Sequence, residues 1–258
     1  VADTARRFPE IVREMESAGH ETGTHSLYHE TVGDSLFEIP GTYPLLPEEV
    51  QPRIKLATDI LEDIVGHKVV SWRCPRLFGG THVTNALESL GYECDATYPM
   101  YYYNEQLFPY HPSQENWTEQ GSLNLIEIVQ FADMGMESKD ANGRDKDQWP
   151  LYRTQSTAEF IPHIESFMSY LEKNDQSQKP IVLCFYFHPW EFWEMPEGVI
   201  HFGEGGVLPD PFLTKGCGKY CLNQVELLID WLKSKEAAFL TAGQCASKWK
   251  NILAQTDP

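Results

Sequence analysis

The sequence predicts an α/β fold built on a mostly parallel sheet, and three observations carry that expectation. Helical and strand-like patterns alternate along the chain. The longest apolar run, Ile181 to Phe187, is apolar on both faces, as a strand inside a parallel sheet must be. The chemistry-bearing residues follow strand-like segments, where parallel α/β architectures place them. No internal repeat, low-complexity tract or linker interrupts the 258 residues, so a single domain over 1–258 is expected.

Element by element, Thr4 to Ala18 carries Phe8, Ile11, Val12 and Met15 at helical spacing, with Gly19 beyond as a stop. His20 to Thr24 leads into a short strand. Pro47 to Val65 is a second helix, marked by Ile54, Leu56, Ile60, Leu61 and Ile64 and closed by Gly66. Val69 to Trp72 is a strand followed by a Pro/Gly-bearing loop to Gly80. Thr81 to Leu90 is helical and ends at Gly91, and strands follow at Tyr92 to Thr97 and Leu123 to Phe131. Ser156 to Glu172 is a helix and Ile181 to Phe187 a buried strand. Leu222 to Lys235 is a helix, Ala237 to Thr241 a last strand, and Gln244 to Leu253 a closing helix. Tyr98 to Gln120 and Ala132 to Arg153 lack such patterns and are expected as long loops.

Composition excludes several classes. The balance of 38 acidic to 20 basic residues gives a formal charge of −18. That surface repels phosphate backbones and no Lys/Arg stripe offsets it, which argues against a nucleic-acid partner. No apolar run reaches the roughly 18 residues of a membrane span, so a soluble chain is expected, with its oligomeric state and compartment open. Aromatic residues are plentiful, with 7 Trp, 12 Tyr and 13 Phe, enough to fill a core and line a groove. Cys74, Cys94 and Cys184 sit in apolar contexts as small buried hydrophobes. Cys217 and Cys221 are either free thiols or a loop clip.

Three segments carry chemistry. In Gly23-Thr24-His25-Ser26-Leu27-Tyr28-His29, two histidines spaced by three residues can face one metal across a helical turn. The same spacing suits two surface histidines on a helix equally well. In Ser71-Trp72-Arg73-Cys74-Pro75, Arg73 stands at a strand end with Pro75 fixing the backbone, placed to orient a carboxylate or substrate. Taken alone, Arg73 is an ordinary surface arginine. In Phe185 to Glu191, His188 emerges from an apolar strand into an aromatic, Pro-containing loop and suits a general acid or base. Alone, it is more commonly a core histidine bonded to a neighbouring carbonyl, and Glu191 either orients it or is solvated. Trp72 and Trp190 stand where they either stack on a sugar face or pack the rim. The remaining histidines lack partner spacing, and Asn116-Trp117-Thr118 is treated as a chance sequon.

Together these segments resemble the polysaccharide deacetylase family (carbohydrate esterase family 4, the NodB-homology domain). Gly19-His20-Glu21-Thr22-Gly23-Thr24-His25-Ser26 resembles the approach to its H-[ST]-x-x-H motif, and Val70 to Pro75 its R-x-P motif. Leu90 to Thr97 is similar to its next helix-to-strand passage, Phe185 to Trp190 to its final histidine motif, and Ala238 to Ala242 to its last strand. The resemblance implies a distorted (β/α) barrel holding one divalent metal, zinc foremost. It implies His25 and His29 as metal ligands, Arg73 orienting the base and His188 protonating the leaving group; aromatic placement adds Trp72 and Trp190, with Pro75, as the expected lining of the substrate site.

The implied activity is metal-dependent removal of acetyl groups from N- or O-acetylated carbohydrate. Hydrolysis of small cyclic amides and a degenerate carbohydrate-binding module are the alternatives. The family's Asp-Asp pair on the opening strand has no counterpart, since Asp3 lies in the first helix. The chain begins at Val1 where that strand should precede it, so an N-terminally incomplete barrel is expected. Two ligands of three and no base should leave the chain inactive or nearly so.

Overall fold

Proline sets the first departure from the expected helix over Thr4 to Ala18. In the computed structural model, which describes residues 1–258 apart from 149–150, 176, 197, 202–204 and 257–258, that stretch forms two helices. Helix α1 (Ala2–Arg7) stops at Phe8, where φ is −132° and ψ 57°, and α2 (Pro9–Ser17) restarts at Pro9. Proline lacks the N–H that would continue the ladder, and its ring disfavours helical geometry in the residue before it. α1 buries Ala2, Asp3 and Ala5, whereas α2 buries nothing. Phe8, Ile11 and Met15 are exposed and only Val12 rests on the core.

Helix α3 (Pro47–Val65) matches the expected bounds. Glu49 reaches back to the Leu46 N–H at 3.2 Å, capping the first turn, and Gly66 closes the helix in the left-handed region at φ +78°. Its apolar stripe buries Val50, Ile54, Ala57 and Leu61. Strand β1 (Ser71–Trp72), helix α4 (Thr81–Leu90), strand β2 (Cys94–Asp95), helix α5 (Met100–Tyr103) and strand β3 (Ile126–Glu127) follow.

The three strands pair in parallel in the order β1-β2-β3, registering Trp72 with Asp95 and Asp95 with Glu127. Thr24 adds a further parallel bridge to Trp72. Tyr92, buried beside Trp72, ties this edge to α3, its hydroxyl lying 2.7 Å from Thr24 Oγ1 and 2.6 Å from Thr58 Oγ1. The stretch Tyr98 to Gln120, expected as an open loop, packs inward instead. Tyr98, Tyr110 and Trp117 are buried and meet edge to face.

Further along, α6 (Leu151–Thr154) precedes α7 (Thr157–Asn174), which opens on a capping box between Ser156 and Glu159. Trp149 and Pro150, inside the loop expected over Ala132 to Arg153, lie outside the described residues. A two-stranded antiparallel ribbon joins β4 (Ile200–His201) to β5 (Gly206–Val207), followed by α8 (Pro211–Thr214) and α9 (Lys219–Ser234). α10 (Ala242–Thr256) closes the chain and buries Cys245, Ala246 and Trp249. Contacts divide the chain into two compact units, Val1–Gln130 with Leu240–Pro258, and Phe131–Phe239.

Two expected strands are corrected. Ile181 to Phe187 holds a single bridge residue at Cys184, whose carbonyl accepts the Phe131 N–H at 3.0 Å. Its residues are half-buried or exposed rather than enclosed on both faces, and Cys184 is not fully buried as expected. Ala237 to Thr241 is irregular, with Phe239 and Leu240 exposed. Apolar runs mark strands only where a neighbour completes the ladder. Among the described residues the parallel strands therefore form an open sheet and do not close into a barrel. Cys217 and Cys221 are free thiols and form no loop clip with each other. Among the described residues no helix is long and apolar enough to cross a membrane.

Candidate active-site residues

In the unit built on β1 to β3, the segments that follow the parallel strands emerge at one end of the sheet. The Thr24 N–H donates to Ser71 O at 2.9 Å and the Arg73 N–H to Thr24 O at 3.0 Å. That pairing sets His25 beside Arg73. The carbonyl of Arg73 can only accept, so the contact of 2.7 Å to His25 Nδ1 places the ring proton on Nδ1. Nε2 of His25 is then left with its lone pair, the form a metal ligand needs. Burial pushes the His25 pKa down to about 3, with the nearby His29 adding to the shift against the opposing Arg73 carbonyl, so the ring stays neutral.

His25 and His29 come together with ring centroids 5.0 Å apart and planes at 68°. Their proximity does not come from a helical turn, as the spacing suggested. Residues 25–29 are a loop bracketed by two left-handed residues, Ser26 at φ +59° and His29 at φ +63°. Such a conformation costs about 1–3 kcal/mol per non-glycine residue and persists only where the surroundings hold it. Here they do. Ser26 Oγ accepts the His29 N–H at 3.0 Å, and Glu30 takes the Ser26 hydroxyl at 3.1 Å and the Tyr28 N–H at 2.6 Å. The carbonyls of Ser26 and Leu27 accept the first amides of α1, from Ala2 at 3.0 Å and Asp3 at 3.1 Å. Arg76 Nη1 holds the His29 carbonyl at 2.9 Å. Asp3 itself is engaged by Arg6 and Arg7 within its own helix.

Two imidazoles suit zinc and its neighbours, and the tautomer of His25 fits a ligand. Catalytic zinc takes three protein ligands, and among the described residues no cluster of three His, Cys, Asp or Glu could hold a metal. The donor set thus fits the two-histidine part of such a site and supplies no third protein ligand. Arg73 directs Nε to the Ala96 carbonyl at 2.8 Å and exerts its charge on buried Asp95. Trp72 is 2% exposed, with its indole N–H on Cys74 Sγ at 3.1 Å. No ring face is open to a sugar, so its role is corrected to core packing. Pro75 is also buried, opening the short 3-10 turn Pro75–Leu77.

The second unit carries His188. It opens a 3-10 turn, Pro189–Phe192, that folds Glu191 back onto it. Glu191 Oε1 accepts the His188 backbone N–H at 2.8 Å and lies 2.7 Å from its Nδ1. A carboxylate there requires the proton on Nδ1 and fixes the ring of a side chain that is 41% exposed. Glu191 Oε2 takes Arg153 Nε at 3.0 Å, with neither side chain exposed. Burial pushes the Glu191 carboxyl up, but the bonds from His188 and Arg153 outweigh it and hold the pKa below its ordinary value. Arg153 also bonds the carbonyls of Leu213 at 3.1 Å and Lys215 at 3.2 Å, and its guanidinium lies 5.1 Å over Trp190. Trp190 stacks on His188 with centroids 5.5 Å apart. Sequence reasoning missed Arg153, which stands alone in an irregular stretch and gives no spacing signal.

The described residues thus bring a histidine pair to the strand ends of an open parallel α/β sheet. Residues 1–94 match the polysaccharide deacetylase family, a span that holds His25, His29 and Arg73 but not His188. No curated protein matches the sequence. Among solved structures the chain is similar to a probable polysaccharide deacetylase from Pseudomonas aeruginosa PAO1, at 15% identity and a TM-score of 0.57, covering 97% of this chain and 66% of that one. It is similar to the Puue allantoinase at 15% identity and a TM-score of 0.57, covering 96% of this chain and 65% of that one. At that identity the likeness is one of fold. The chain spans slightly less than two thirds of the length of either structure.

Proposed function

We propose that this chain belongs to a metal-dependent hydrolase that removes acetyl groups from N- or O-acetylated carbohydrate, acting as a single catalytic domain. The observation that carries the reading is the His25–His29 ring pair, with His25 held as the Nδ1–H tautomer by Arg73 O, inside the span that matches the deacetylase family. A divalent ion, zinc foremost, would be held by His25 Nε2 and by His29, which would supply two of its ligands. When bound, such an ion polarises an acyl carbonyl and activates water.

The chain's own residues supply the rest. Arg73, anchored on Ala96 O, presents positive charge toward a carboxylate at the strand ends. His188 delivers a proton from Nε2 to the departing amine or alkoxide, while Glu191 keeps hold of Nδ1–H and Arg153 keeps Glu191 ionised. Trp190, stacked on His188 with the Arg153 guanidinium also over its ring, offers its edge to a sugar ring. A second reading, hydrolysis of a small cyclic amide, is favoured by the equal fold similarity to an allantoinase.

The test is acetate release from N-acetylglucosamine oligosaccharides by the zinc-supplemented chain. Release that falls by about 10²–10⁴-fold in His188→Ala supports deacetylation. Ring opening of a cyclic amide without acetate release moves the assignment to the second reading. Neither activity, with the chain folded and metal-loaded, agrees with the expectation that two ligands and no base leave it nearly inactive; failure of His25 and His29 to bind zinc removes the hydrolase assignment.

A further inference from the structure

Asp95 and Glu127 are register partners on adjacent parallel strands, so their side chains leave the sheet on the same face. Both are 0% exposed. Each spends one oxygen on a defined donor. Asp95 Oδ1 accepts the Thr97 hydroxyl, and Glu127 Oε1 accepts the backbone N–H groups of Thr97 at 3.1 Å and Tyr98 at 2.7 Å. The other two, Asp95 Oδ2 and Glu127 Oε2, are fully buried and have no hydrogen-bond partner as carboxylates. The two carboxyl groups nonetheless lie within hydrogen-bonding reach of each other. Two ionised carboxylates are acceptors only, and side by side they repel; one proton turns either into a donor and satisfies both orphaned oxygens.

We propose that Asp95 and Glu127 share one proton between Asp95 Oδ2 and Glu127 Oε2, and that this bond across β2 and β3 positions the turn that holds Arg73 and Cys74. The turn is Ala96-Thr97. The Ala96 carbonyl accepts Arg73 Nε at 2.8 Å and Gln130 Nε2 at 2.6 Å. Thr97 Oγ1 accepts the Cys74 N–H at 2.9 Å while donating to Asp95. Loss of the shared proton would push the two carboxylates apart and draw the turn with them. The ionisable groups that act on the pair are Arg73 and Cys74 after β1, Cys94 on β2, and Tyr98 and Tyr110 beyond it. Burial pushes those thiols and phenols up, so they stay neutral, and Arg73 balances the single charge left on the pair. Burial also raises the titration of the pair itself above the ordinary carboxylate range. The proposal stands on this unit alone and does not rest on the hydrolase reading.

Infrared spectroscopy of the full chain at mildly alkaline pH tests it, since ordinary carboxylates are ionised there. The wild type should show one protonated-carboxyl stretch that shifts in deuterated solvent, and both Glu127→Gln and Asp95→Asn should lose it. Absence of the band in wild type overturns the proposal whether or not the variants fold, and so does its survival in either variant. Positioning is read from the Arg73 Nε–H resonance. It should stay at the wild-type shift in Glu127→Gln, where an amide donates in the proton's place, and move in Glu127→Ala. An unmoved resonance in folded Glu127→Ala overturns the positioning role.

Discussion

Arg153 and Glu191 form an ion pair 3.0 Å long from which water is fully excluded. Through the other oxygen of the same carboxylate, the pair fixes Nδ1 of His188. The charge of Arg153 thus reaches an exposed histidine without touching it.

Breaking that pair leaves a charge buried without its partner. Arg153→Met should destabilise the chain by about 3–5 kcal/mol, measured as a shift of the urea midpoint. The loss should depend on pH with a definite sign. The folded pKa of Glu191 lies below its ordinary 4.5, so its contribution is complete above that value and is lost as pH falls through the folded pKa. The acid limb of the stability curve should therefore be steeper in wild type than in Arg153→Met.

Glu191→Gln removes the carboxylate that holds the His188 proton on Nδ1. An amide in its place lets the ring present the wrong tautomer. Turnover should fall by roughly the 10²–10⁴-fold of a lost general acid, with KM little changed. Steady-state kinetics on an acetylated oligosaccharide separates this from loss of substrate binding, which would raise KM instead.

Gly33 is required by space rather than by its dihedrals. A Cβ there would lie 2.1 Å from Phe78 O and 2.5 Å from Gly79 O, both backbone atoms that cannot swing away. The same loop bonds Asp34 N to Gly79 O at 2.8 Å and, through Arg76, the His29 carbonyl at 2.9 Å. Gly33→Ala should cost about 1–3 kcal/mol and shift the His29 ring resonances. Thermal unfolding and histidine NMR together check this.

Ile11 carries the opposite expectation. Its helical spacing marks it as core, yet it is 52% exposed on a helix that buries nothing. Ile11→Ser should change stability by no more than about 0.5 kcal/mol, whereas Ile54→Ser on α3, fully buried, should cost several times more. Chemical denaturation of the two variants distinguishes the faces.

Helices with strong punctuation were legible in the sequence. α3 and α4 fall on the expected residues because Pro47, Gly66 and Gly91 mark their ends and their apolar stripes find a core. Phe8-Pro9 carried a break signal that the apolar period over Thr4 to Ala18 masked. Ile181 to Phe187 and Ala237 to Thr241 were over-read, because an apolar run states what a segment would bury and not whether a partner strand covers it. Pairing of His25 with His29 was anticipated, but its loop geometry was not, since two left-handed residues at Ser26 and His29 leave no pattern in sequence. Arg153 and the Asp95–Glu127 pair were illegible for a simpler reason. A buried charge is defined by what surrounds it, and those partners lie 38 and 32 positions apart in the chain or on a neighbouring strand.

Metal binding tests the central claim most directly. Isothermal titration of the apo chain with zinc, beside the His25→Ala, His29→Ala double variant, reads the histidine pair without depending on turnover. Saturable binding near one ion per chain that is lost in the double variant is the expected result. Equal binding by both proteins, or none by the folded wild type, would contradict the assignment of His25 and His29 as ligands.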